Sequence, residues 1–156
     1  MIVLADAAPV LNLAAVGKLD LLRALYGQMV VPFTVQSELS RNEADLDPAW
    51  TRVVKPRNPA ERDPLLDELD PGEKESMAVA AAVRVRLLLL DEKRCRHVAS
   101  QQGLEVTGLL GVLAEAKARG LIKECKPILD DLLRLTGFWI GDDLRSHYLR
   151  SLNELD

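Results

Sequence analysis

Leu87-Leu88-Leu89-Leu90 is an uninterrupted apolar run that ends at Asp91, and it decides how the rest of the sequence is interpreted. A short run of this composition is typical of a strand buried on both faces of a parallel sheet. Helical patterns lie before and after it, so we predict that helices cover both faces of that sheet. No apolar run approaches the ~20 residues that a membrane-spanning helix needs.

The same alternation of short apolar strands and helices extends over the whole chain. Turn and cap residues separate the segments, among them Gly27, Gly120 and the Asp70-Pro71-Gly72-Glu73 start of a long helix. Thr34 is the predicted N-cap of another helix. The predicted strands cover residues 2–5, 29–31, 52–54, 87–90 and 105–107. Helices are predicted over 9–15, 19–26, 35–39, 71–82, 93–100, 109–119, 128–135 and 143–152. The fold class is therefore α/β, a three-layer α/β/α arrangement with a short parallel sheet.

Composition indicates one globular domain over residues 1–156. Hydrophobic residues make up 48% of the 156 and charged residues 28%, which suits a packed core rather than a disordered chain. The formal net charge of -4 disfavours a broad basic surface for nucleic acid, although it leaves room for a local basic patch. The first residues reach Asp6 without a basic leader, so no signal peptide is predicted and we expect a cytoplasmic protein.

Two acids follow predicted strands directly, Asp6 after the first and Asp91 after the 87–90 run. Ligands of open parallel sheets bind at the carboxyl ends of the strands, and carboxylates gathered there are costly without a cation between them. Hard oxygen ligands suit Mg2+ or Mn2+. Taken singly, Asp91 could instead cap a helix and Asp6 could form an Asx-turn. Together the two acids favour a metal site.

Several motifs, in the same order along the chain, resemble those of the PIN-domain nucleases, in particular their small prokaryotic, toxin-like branch. In that branch a first strand ends in Asp-Thr-Ser-Pro, and a later helix carries Gly-Glu-x-Glu-Ala. The matching segments here are Val3-Leu4-Ala5-Asp6-Ala7-Ala8-Pro9, Val35-Gln36-Ser37-Glu38-Leu39, Pro71-Gly72-Glu73-Lys74-Glu75-Ser76-Met77-Ala78, Leu88-Leu89-Leu90-Asp91-Glu92 and Thr107-Gly108-Leu109-Leu110-Gly111-Val112-Leu113. The resemblance spans nearly the whole chain, and its ordered set is more specific than any single motif.

The resemblance implies a catalytic set of Asp6, Glu38, Glu75 and Asp91, with Asp6, Glu75 and Asp91 as ligands of Mg2+ or Mn2+. Glu92 would assist from outside the ligand set. The implied activity is a metal-dependent endoribonuclease acting on an RNA substrate. An antitoxin protein is the implied partner, as for many small PIN proteins.

Glu73 and Glu75 cannot both face such a site. Two residues apart on a helix, their side chains project about 200° from each other. Glu73 is the return half of the predicted capping box, so Glu75 is the preferred ligand.

Ala7 and Ala8 depart from the family pattern, because they replace hydroxyl residues that would orient Asp6. The alternative function is therefore a degenerate PIN domain that binds RNA or protein without catalysis. A phospho-acceptor signalling domain fits less well. Such a domain needs adjacent acids after the first strand, where Asp6 stands alone, and a lysine after a late strand, where Thr107 is followed by Gly108.

Basic residues cluster around the 87–90 strand despite the acidic total. Lys93, Arg94 and Arg96 follow Asp91 and are predicted to contact the substrate backbone, with Arg84 and Arg86 before the strand as further candidates. A solvated charged face is the alternative interpretation of each.

Self-association is predicted from the last helix. Leu144, Tyr148, Leu152 and Leu155 form one apolar face, which favours a homodimer unless the face packs on the chain's own sheet.

Overall fold

Five parallel strands form one sheet in the order β3-β2-β1-β4-β5. The structure is a computed structural model that describes residues 3–55, 69, 71–91 and 93–155, without the side chains of Pro71, Gly72, Arg94 and Cys95. The strands are β1 Val3–Ala5, β2 Met29–Pro32, β3 Thr51–Val54, β4 Leu87–Leu89 and β5 Glu105–Thr107. All five predicted strands are present, with ends that agree to within a residue over the described part of the chain.

Helices connect the strands and pack on the two faces of the sheet. They are α1 Ala7–Ala15, α2 Asp20–Tyr26, α3 Phe33–Arg41, α4 Pro71–Ala82, α5 Lys93–Gln101, α6 Leu109–Ala118, α7 Lys126–Leu135 and α8 Asp142–Ser151. Gly27 ends α2 at a φ of 72°, a left-handed conformation that glycine adopts without a steric penalty. The Asp70 end of the predicted capping box lies outside the described residues.

Alternate residues of the strands pack into two separate hydrophobic cores, one on each face of the sheet, as a three-layer α/β/α fold requires. Val3, Ala5 and Leu89 pack with α1, α2, α6 and α7 on one face. Leu4 and Leu88 pack with α4 and α5 on the other. Both faces of each central strand are therefore dry, as the apolar runs in the sequence predict.

Thr34 is not the N-cap of α3, contrary to the prediction. An N-cap at Thr34 would start the helix at Val35, but α3 begins two residues earlier, at Phe33, and its N-cap is Pro32, which also ends β2. Proline has no backbone N–H to donate, but this costs nothing at the start of a helix, because the first amides there have no intrahelical partner. The backbone N–H of Thr34 is thereby left in the first turn, where a side chain from another helix reaches it.

Part of the apolar face of α8 packs on its own chain. Tyr148 and Leu152 lie against the core on the α1 face, and the Tyr148 hydroxyl donates a hydrogen bond to the Leu110 carbonyl. Leu144 and Leu155 stay exposed. The predicted dimer face is therefore smaller than the sequence pattern suggests.

Among the described helices, none has the length and apolar character needed to cross a bilayer.

Candidate functional site

Asp6 and Asp91 follow two neighbouring strands at the centre of the sheet. Ala5 of β1 is in register with Leu89 of β4, so Asp6 and Asp91 come one and two residues beyond that pair. The Asp6 N–H also donates to the Leu89 carbonyl at 3.1 Å. Neighbouring strands lie about 4.8 Å apart. The predicted placement of both acids at adjacent carboxyl ends is confirmed.

Each of these two carboxylates also caps a helix. Asp6 is the N-cap of α1, and its Oδ1 accepts from the Ala7 N–H at 2.9 Å. The Oδ1 of Asp91 accepts from the Leu109 N–H at 3.0 Å, at the start of α6. A carboxylate is stabilised at the positive end of a helix, so part of the charge on each acid is already balanced by the fold.

Glu75 reaches the same edge of the sheet from α4. Its Oε1 accepts from the Thr34 N–H at 3.4 Å, a long hydrogen bond just beyond the end of β2. β2 is the neighbour of β1 on the side away from β4. Asp91, Asp6 and Glu75 therefore lie at the ends of three successive strands.

Glu73 and Glu75 differ in environment as their spacing predicts. Glu73 is buried at 8% exposure, whereas Glu75 is only half-buried and faces α3. Glu38 is exposed on α3, four residues after Thr34. One helical turn of about 6 Å separates those two positions along the helix axis, which places Glu38 near the Glu75 side of the edge.

Arg96 contacts Asp91. Its Nη2 lies 3.5 Å from Asp91 Oδ1, and its Nε donates to the Leu90 carbonyl at 3.1 Å. Its guanidinium is thus turned toward the acid edge, whereas Lys93 is exposed to solvent. The Arg94 side chain and Glu92 lie outside the described residues.

Gly108 makes room for that guanidinium. A Cβ placed on Gly108 would overlap Arg96 Nη2 and stand 2.9 Å from Asp91 Oδ1. Its φ of -117° is open to any residue, so close approach rather than backbone conformation favours glycine here. The Thr107-Gly108 dipeptide is visible in the sequence, but its contact with Arg96 is a property of the fold.

Arg84 and Arg86 lie at the wrong end of β4 to join the site, contrary to expectation. Both precede Leu87, whereas Asp91 follows Leu90. Four residues of extended chain span about 13 Å. A cavity of about 430 Å3 is likewise remote from the acids, because it is lined by the first residues of β2 and β3, including Met29 and Thr51.

The chemistry of the donor set fits a hard divalent cation, since it consists of carboxylates and contains no thiol or imidazole. The carboxylates of this donor set are not arranged as a closed metal site. Within the described residues, no three Asp, Glu, His or Cys side chains come close enough together to hold a metal ion. A bound cation would compete with the helix N-termini and Arg96 for oxygens of Asp6 and Asp91.

The family model DUF3368, described as a PIN domain, matches residues 2–154. A search of curated proteins finds no match.

Proposed function

The chain belongs to the PIN-domain family, and from that premise we propose that it is a metal-dependent endoribonuclease whose site is built on Asp6, Glu75 and Asp91. PIN domains are generally nucleases and typically use divalent metals. The observation that carries the proposal is the position of Asp6 and Asp91 beyond the register pair Ala5–Leu89 of neighbouring central strands. Such a pair of acids suits a divalent cation whose oxygen ligands lie about 2.0–2.6 Å from the metal.

In the proposed site Asp6, Glu75 and Asp91 hold Mg2+ or Mn2+, and Glu38 lies beside them on α3. When bound, the metal orients a water, lowers its pKa and stabilises charge on the scissile phosphate. Lys93, Arg94 and Arg96 contact the substrate backbone, and Glu92 supports the ligands. The substrate is RNA.

The second candidate is a PIN domain that binds RNA or protein without cutting. Two observations favour it: Ala7 and Ala8 supply no hydroxyl beside Asp6, and the carboxylates of Asp6 and Asp91 already accept from helix N-termini. Cleavage of a single-stranded RNA panel with Mn2+, abolished by excess EDTA, separates the two candidates. RNA binding without cleavage would establish the second.

The remaining assignments rest on the same premise. The protein acts as the toxin of a toxin–antitoxin pair in the cytoplasm, and an antitoxin protein covers the acid edge. Its single domain spans residues 1–156. Leu144 and Leu155, both exposed, contribute to a homodimer contact. Sedimentation at micromolar concentration tests the dimer, and a monomer alone would contradict it.

Glu75→Gln should weaken Mn2+ binding with little loss of thermal stability. The variant removes a charged ligand that is half-buried and whose hydrogen bond within the described residues, from the Thr34 N–H, is long. Glu73→Gln is the matched control and should leave Mn2+ affinity nearly unchanged, because a glutamine still serves the predicted capping box. Calorimetric titration with Mn2+ measures both. The opposite order of affinities would show that Glu73 is the ligand.

Arg96→Gln should strengthen Mn2+ binding by about two- to fivefold. The Arg96 side chain is 45% exposed, so its pair with Asp91 is a surface pair worth at most about 1 kcal/mol, and the metal must displace it. Lys93→Gln removes an exposed charge of the same helix as a control. Equal gains in Lys93→Gln and Arg96→Gln would contradict a local competition.

A further inference from the structure

Phe33 and Lys55 form an exposed aromatic–cation pair at the acid edge of the sheet. Pro32 of β2 is in register with Val54 of β3, so the residues that follow them, Phe33 and Lys55, are neighbours. The Lys55 Nζ lies 5.2 Å from the centroid of the Phe33 ring. The ring itself remains 48% exposed.

Phe33 contributes little to the interior. It belongs to neither of the two cores described above, although Val35 and Leu39 of the same helix are buried. An aromatic side chain half in water, flanked by an ammonium group, has the composition of a platform on which an unpaired base stacks while a cation contacts phosphate.

The pair also lies beside the proposed catalytic acids. The N–H of Thr34, the residue after Phe33, donates to Glu75. β2, which Phe33 follows, is the neighbour of β1 and hence of Asp6. The Phe33 backbone therefore lies about one strand spacing, roughly 4.8 Å, from the end of β1 that carries Asp6, and a base stacked on its ring would lie at this edge of the sheet.

We propose that Phe33 and Lys55 form a subsite for one unpaired nucleobase and its phosphate, so that the bound strand is unpaired at this position. This inference rests on the proposed function. Base stacking strengthens binding by about 5- to 150-fold, whereas an exposed cation–π pair accounts for about 2- to 5-fold. The base therefore displaces the Lys55 ammonium from the ring and leaves it to contact the phosphate. Stacking uses the flat face that every base has, so the subsite is tolerant of sequence.

The test measures binding without catalysis. A fluorescent single-stranded 12-mer RNA of mixed sequence is titrated with the full chain in EDTA, and affinity is read from anisotropy. Phe33→Ala and Phe33→Leu should both weaken binding at least fivefold, while Phe33→Trp should preserve it, because only an aromatic ring offers a stacking face. Affinity should fall as the salt concentration rises, and Lys55→Gln should make the slope of log affinity against log salt shallower by about 0.7, the value for one phosphate contact on a single strand.

Two controls make the result specific. Trp139→Ala removes a more exposed aromatic residue, in the α7–α8 connection, and should leave affinity unchanged. A duplex RNA of the same sequence should bind wild type and Phe33→Ala equally, because its bases are already stacked. Wild-type affinity in both Phe33→Ala and Phe33→Leu would overturn the subsite, as would absence of single-strand binding by the wild type. If EDTA-sensitive cleavage persists in either case, the subsite fails and the proposed function stands.

Discussion

Asp6→Asn and Asp91→Asn should each reduce metal-dependent cleavage of single-stranded RNA by about 100-fold or more. Each change replaces an anionic metal ligand by a neutral one of nearly the same shape. A metal ion supplies several kcal/mol of transition-state stabilisation, and each 1.36 kcal/mol lost costs a factor of ten in rate. Initial cleavage rates at saturating Mn2+ provide the measurement.

Both variants should remain folded, because the asparagine oxygen can still accept the hydrogen bonds of the helix N-termini. Asp6→Asn keeps an acceptor for the Ala7 N–H, and Asp91→Asn keeps one for Leu109. Asp91→Asn also loses the charge that pairs with Arg96, which at 45% exposure is worth at most about 1 kcal/mol. If the melting temperatures of both variants lie within a few degrees of the wild-type value, a loss of activity is due to the site and not to unfolding.

Contaminating nuclease is the main artefact of this experiment, so wild type and variants must be purified in parallel. Equal cleavage by wild type and Asp6→Asn would mean that the activity belongs to the contaminant. Absence of cleavage in all of them, together with RNA binding by the wild type, would favour the non-catalytic domain.

The sequence predicts the fold and one pair of site residues because those features depend on local patterns. Apolar runs such as Leu87–Leu89 mark strands buried on both faces, and an acid that follows a strand must lie at its carboxyl end. Asp6 and Asp91 were identified in this way. The bond from the Leu109 N–H to Asp91 was not, because that amide is eighteen residues away in sequence.

The remaining site features depend on contacts between distant segments. Phe33 and Lys55 are brought together by the register of β2 and β3, and Gly108 matters because of where Arg96 lies. The N-cap assigned to Thr34 failed for a related reason. Pro32 fits both a strand end and a helix start, and a pattern that treats proline as a stop misses the second role.

A second large effect is expected far from the acid edge, at Glu154. This side chain is only 5% exposed and accepts from the Cys125 N–H at 2.9 Å and the Lys126 N–H at 2.8 Å, the first amides of α7. Lys117 of α6 adds an ion pair at 3.0 Å and also donates to the Leu152 carbonyl. Glu154 therefore holds residues 152–154 against both α6 and α7.

Glu154→Ala should lower the free energy of unfolding by about 3 kcal/mol, because it leaves two amides and a partly buried ammonium without their carboxylate. For a chain of this size that loss corresponds to a fall in melting temperature of about 10 °C. Asp131→Ala is the matched control. Asp131 pairs with Arg134 at 3.0 Å, but both side chains are about half or more exposed, so its loss should cost less than about 1 kcal/mol. Equal destabilisation by the two variants would contradict a special role for Glu154.

The stabilisation by Glu154 should also depend on pH in a defined direction. Burial raises the pKa of this carboxyl, but the hydrogen bonds from the Lys126 and Cys125 amides and the charge of Lys117 outweigh it, so the pKa in the folded protein lies below the ordinary value. A carboxyl with a depressed folded pKa binds its proton more readily in the unfolded chain. Its contribution is therefore complete above the ordinary glutamate pKa of about 4.3 and is lost as the pH falls through the lower folded value. Urea unfolding of wild type and Glu154→Gln between pH 7 and pH 3 should show a constant difference in unfolding free energy down to about pH 5. Below that pH the two stabilities should converge, whereas a difference that persists unchanged to pH 3 would show that the carboxylate charge is not what holds residues 152–154 in place.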